Sequence, residues 1–152
     1  MRSKKGIFMW LIVCMIITLC GAPGFSTGNA GGKGTGTAKT GRSFVITYFH
    51  NTFRCPTCHD LEKFSQEAVQ SHFGETLKKG ALVWRTIDVD EPENQHFNTD
   101  YQLFTKSLIL SEMKDGKEVR WKNIDKIWEL VGNEDAFKAY VASEIAAWVK
   151  EQ

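Results

Sequence analysis

The chain has 152 residues, 42% of them hydrophobic and 24% charged, which suits one folded domain and excludes both wholesale disorder and a two-domain enzyme. Nineteen basic against eighteen acidic side chains leave a formal charge of +1, too weak a field to hold nucleic acid through its phosphates. A mean hydropathy of −0.29 excludes a chain built of several membrane spans.

At the N-terminus Arg2, Lys4 and Lys5 precede an uncharged run from Ile7 to Cys20, and a glycine-rich stretch follows. This basic, apolar, small order predicts a signal peptide over residues 1–20, with an uncleaved N-terminal anchor as the alternative. The apolar run is 14 residues; a spanning helix needs about 20. Leu19 stands before Cys20, where a lipoprotein site calls for a small residue, which argues against lipidation. Residues 21–41 hold eight of the thirteen glycines and read as a flexible leader. The folded domain is expected over 42–152, exported to a periplasmic or other extracytoplasmic compartment. Without the leader, Cys55 and Cys58 are the remaining cysteines.

Ser43–His50 is β-branched and aromatic on both faces, the pattern of a central strand covered on both sides. Pro56 suits the first turn of a helix, and Leu61, Phe64, Ala68, Val69 and Phe73 continue at helical spacing until Gly74 or Lys79-Gly80 ends it. Ala81–Asp90 predicts a second buried strand, and Glu93–Asp100 a short helix after Pro92. Ser107–Ser111 and Lys117–Lys122 predict two strands joined at Asp115-Gly116. Ile124, Ile127, Trp128 and Val131 form one helical face. Asn133 is an N-cap for a last helix whose stripe is Phe137, Tyr140, Val141, Ile145, Trp148 and Val149. The order predicts an α/β domain: a parallel βαβ unit, a hairpin and a closing helix around a mixed sheet of about four strands.

Chemistry centres on Cys55-Pro56-Thr57-Cys58, between the first strand and the first long helix. A cysteine at a helix N-terminus meets free N–H donors and the positive end of the dipole, which favour thiolate. Arg54 adds a neighbouring cation, and the two-residue gap lets one sulfur reach a mixed disulfide on the other. Cys55 is the expected attacking thiolate and Cys58 the resolving thiol. His50, at the end of the strand, is a candidate proton shuttle or a plain polar terminus, and His59 a cover for the first helical turn. Three other readings stay open. One is a structural disulfide. Another is a soft metal or metalloid held by both thiols, alone or with His50 or His59; no second ligand pair completes a zinc site. The third follows from Cys58-His59, which completes a C-x-x-C-H haem-attachment string with Met113 as a candidate distal ligand. No flavin or nicotinamide fingerprint is present, so no cofactor is expected.

The strand, C-x-x-C, helix unit, the IDVDEPEN segment and the LILSEMKDGKEV hairpin together resemble the thioredoxin-like superfamily over nearly all of residues 43–150. The resemblance implies a thioredoxin-like fold with helices flanking the sheet, and Cys55 and Cys58 as the redox pair. Two positions depart from it. Ser107 or a neighbour falls where thioredoxins place a cis-proline, and Phe49 falls where they bury an acid. Further strings, TYFHNTFRCPTC, PENQHFNTDYQL and TKSLILSEMKDGKEVRWKNIDKIW, resemble a bacterial family described as the small subunit of a nitrophenyl-compound nitroreductase, encoded beside an aromatic-arsenical exporter. That likeness implies electron delivery through Cys55 and Cys58 toward a nitroaromatic, with a membrane redox protein as donor and a nitroreductase subunit as partner.

Overall fold

A computed structural model describes residues 41–151. The expected signal peptide over 1–20 and all but the last residue of the leader lie outside the described residues. The chain runs β1 (Arg42–His50), α1 (Pro56–Lys78), β2 (Leu82–Asp88), a 3-10 turn (Pro92–Asn94), α2 (His96–Asp100), β3 (Ser107–Lys114), β4 (Lys117–Asn123), α3 (Ile127–Leu130) and α4 (Glu134–Lys150). The four strands form one mixed sheet in the order β2-β1-β3-β4, β1 parallel to β2 and antiparallel to β3.

Alternation along β1 divides the core. Phe44, Ile46 and Tyr48 join the main cluster with Leu61, Phe64 and Val69 of α1 and Phe137, Val141 and Ile145 of α4. The rings of Phe64 and Phe137 meet edge-on at 5.7 Å, locking the two helices on one face of the sheet. On the opposite face Phe49, Val89 and Ile109 form a smaller cluster with Phe97 and Tyr101, from α2 and its C-terminal end. Helices therefore flank the sheet, and the β1 run is buried on both faces as its composition requires.

Several boundaries differ from the sequence pattern. Of the two expected ends of the first helix, Lys79-Gly80 is the one found: α1 passes through Gly74 with a kink at Phe73 (φ −129°) and ends at Lys78, capped by Lys79 and followed by Gly80, whose φ of 65° suits glycine. The second strand is an edge strand, half exposed rather than buried, because only β1 pairs with it. The helix expected from Ile124 shrinks to one turn at Ile127–Leu130. Ile124 instead donates its N–H to the Leu108 carbonyl at 2.9 Å and continues the strand pairing. The hairpin turn is as its residues demand, with φ of 51° at Asp115 and 79° at Gly116. The Asn133 side chain accepts from the Ala136 N–H at 3.1 Å and starts α4. Among the described residues no helix is long and apolar enough to cross a membrane.

Candidate active site

The loop 51–54 carries the chain from the end of β1 to the start of α1, and two aspartates at the end of β2 and just beyond it hold the loop. Asp90 accepts from the Asn51 side chain at 2.8 Å and from the Thr52 N–H at 2.9 Å, while Asp88 accepts from the Thr52 hydroxyl at 2.8 Å. Parallel pairing of His50 with Asp88 brings these groups together. The acidic IDVDE segment thus fixes the backbone that leads into Cys55.

Cys55 is the N-cap of α1, in extended conformation, and Pro56 occupies the first turn, where a missing N–H costs nothing. The Cys55 sulfur accepts from the Cys58 N–H at 3.3 Å, and the Cys55 carbonyl accepts from the same N–H and from that of His59. Both cysteines are free thiols; Cys55 is half-buried and Cys58 buried. The Cys55 thiol is pulled below the usual thiol range. The hydrogen bond from the Cys58 thiol is the first cause and the Cys58 backbone N–H the second, and the Lys106 charge adds to them. Thr57 is half-buried in the first turn of the helix.

Arg54 is engaged elsewhere. Its guanidinium forms an ion pair with Glu62, two turns along α1 from the N-cap, and lies over the Tyr48 ring at 5.9 Å. Glu62 also accepts from the Thr86 hydroxyl at 3.1 Å. Tyr48, absent from the sequence-based site, donates its hydroxyl to the Cys58 carbonyl at 2.8 Å, and burial pushes its phenol well above the ordinary range. The alternation of β1 marks Tyr48 as a core ring, but nothing in the sequence aims its hydroxyl at the motif. Lys106 was likewise invisible, since 51 positions separate it from Cys55 and no motif joins them.

His50 lies at the end of β1 with Nδ1 at 2.9 Å from the Asn51 carbonyl. It lines a cavity of about 120 Å³ with Phe49, Asn51, Leu103, Phe104 and Thr105. His59 is exposed on α1. Ser107 is buried opposite Phe49 at the start of β3, with its hydroxyl donating to the Thr105 carbonyl at 2.9 Å. No peptide bond among the described residues is cis. Phe49 packs against Phe97 at 5.2 Å and Tyr101 at 5.3 Å, so an aromatic cluster occupies that position.

Met113 does not meet the haem geometry. It pairs with Ser43 at the start of β1, whereas the motif follows the end of β1. The strand β3 from Ser107 to Met113 covers roughly 20 Å, far beyond the spacing of two axial ligands on one iron. Among the described residues no three His, Cys, Asp or Glu side chains gather as a metal site.

No protein-family model matches the chain, and no curated protein matches it. Among solved structures, the chain is similar to Fasciola hepatica thioredoxin, at 19% identity and TM-score 0.39 over 68% of this chain and 82% of the other. An oxidised thioredoxin from Plasmodium falciparum gives 18% identity and TM-score 0.40 over 68% and 82%. A mutant thioredoxin from Halobacterium salinarum gives 26% identity and TM-score 0.36 over 66% and 74%. On its own strand order, with a C-x-x-C pair at the helix start after β1 and helices flanking a mixed four-stranded sheet, the chain has a thioredoxin-like α/β fold.

Proposed function

We propose that the protein is a thiol–disulfide oxidoreductase that passes one electron pair at a time through Cys55 and Cys58. The placement of Cys55 carries this reading: its sulfur caps α1, accepts from the Cys58 N–H at 3.3 Å, and is held toward thiolate. In the reducing direction the Cys55 thiolate attacks a partner disulfide. A bond forms from Cys55 to one partner sulfur, the partner S–S bond breaks, and a thiolate leaves. Cys58 then gives its proton to solvent and attacks the Cys55 sulfur. The Cys55–Cys58 disulfide forms and the second partner thiolate departs, reduced by two electrons overall.

The apolar run and basic start of residues 1–20 support an exported location. Likeness of the three quoted strings to the nitroreductase small-subunit family supports a nitroaromatic as the final acceptor. Nitro reduction then needs a partner that carries the redox cofactor, with a membrane redox protein as the source of electrons. The decisive experiment is turnover of a disulfide by the purified protein with Cys55→Ser and Cys58→Ser beside it. Loss of turnover in both variants is expected, and full turnover in Cys55→Ser would overturn the reading.

A further inference from the structure

The loop 103–106 lies beside the end of β1, where Leu103, Phe104 and Thr105 line one cavity with Phe49, His50 and Asn51. Ser107 pairs with Phe49 at the end of β1, so the residues just before β3 abut the entry to α1. The loop is shaped at its C-terminal end. The Trp128 indole N–H donates to the Lys106 carbonyl at 2.9 Å, and the Ser107 hydroxyl holds the Thr105 carbonyl. The Lys106 charge bears on Cys55, and no ion pair among the described residues takes up its ammonium. The first turn of α1 holds no acidic side chain. The helix start and the Lys106 charge thus both favour negative charge at the Cys55 sulfur. The loops 51–54 and 103–106 each carry an exposed ring, Phe53 at 82% exposure and Phe104 at 96%.

We propose that Lys106 makes the dithiol selective for aromatic or apolar disulfides that carry an anionic group beside the reacting sulfur. The proposal rests on the oxidoreductase reading and names its substrate class. An incoming disulfide finds apolar contact at Phe53 and Phe104, and a carboxylate next to its sulfur is attracted by Lys106. A cationic disulfide is repelled by the same charge. Arg54 supplies none of this selectivity, because Glu62 neutralises it.

The test is single-turnover reduction of two chromogenic aromatic disulfides by the pre-reduced protein: the dianion dithiobis(nitrobenzoate) and neutral dithiodipyridine. Lys106→Gln should slow the dianion about three- to ten-fold more than the neutral probe. Lys106→Arg should keep the wild-type ratio. Raising ionic strength from about 0.01 M to about 1 M should shrink the wild-type ratio and leave that of Lys106→Gln nearly flat. Equal losses on both probes, or a wild-type ratio indifferent to salt, would overturn the proposal, since Lys106 would then serve only the Cys55 thiolate. Failure of the wild-type protein to reduce either probe, with Cys55 still open to alkylation, would overturn the oxidoreductase reading itself.

Discussion

At the Cys55 sulfur, the Cys58 thiol, the Cys58 N–H and the Lys106 charge all favour the thiolate. The consequence for pH follows from the sign of that shift. An acid whose pKa is lowered in the folded state is more ionised there than in the unfolded chain. Its contribution to the reduced folded state is full above the ordinary thiol value and is lost as pH falls through the lowered one. Alkylation of Cys55 by iodoacetamide should therefore reach its plateau at lower pH than for a free cysteine. In Lys106→Gln the midpoint should move up, and in Lys106→Arg it should return. Cys58→Ser should accumulate a mixed disulfide with either probe, visible by mass, because the second attack is gone. The motif and its helix-start position were legible in four consecutive residues. The cations were not. Arg54 reads as the neighbouring charge in sequence, but the fold turns it to Glu62, and Lys106 arrives from a loop that only the β1–β3 pairing brings close.

Helices and strands were legible where a local signal stood alone, as at the Asn133 cap and the Asp115-Gly116 turn. They were misread where pairing decided the outcome. Ile124 has helical spacing with Ile127 and Val131, but its N–H is claimed by Leu108, so the strand lengthens and the helix shortens. Burial of β2 depends on its place in the sheet order, which periodicity does not encode. At this scale the loop 51–54 is the element that matters for function, and Asp90 is its fastener. Asp90→Ala removes two hydrogen bonds at an exposed carboxylate and should cost about 1 kcal/mol, a fall of roughly 4–8 °C in Tm for a domain of this size. It should also slow the dithiol, because the entry to α1 loosens. Asn133→Ala, at a helix start remote in sequence from the motif, should cost about 1 kcal/mol with no effect on the rate per folded molecule. Calorimetry beside single-turnover reduction separates the two variants.

Across the whole molecule the chemistry and the clamp sit at opposite ends of the sheet. At the start of β1, Arg42 and Arg120 both pair with Glu112, and both reach Glu151 just beyond α4. Arg120 also stacks 3.8 Å over the Trp148 ring. These contacts tie the last helix to β1, β3 and β4. Hydrogen bonds from Arg42 and then Arg120 hold the Glu112 carboxyl below the usual range. Its stabilising effect is present above the unfolded carboxylate value and lost as pH falls through the lowered one. Glu112→Gln should therefore lower stability at neutral pH and flatten its acid dependence, while leaving the dithiol potential unchanged at the far end of the sheet. The central claim is that Cys55 and Cys58 form a working redox couple. Its most direct test is the reduction potential of the domain, measured by equilibration in thiol buffers and trapping by alkylation. The account predicts one reversible two-electron transition between about −270 and −120 mV, moved to a more negative value in Lys106→Gln, where the reduced thiolate loses its cation. Failure to form a Cys55–Cys58 disulfide, or a potential below about −300 mV as for an inert structural bridge, would contradict it.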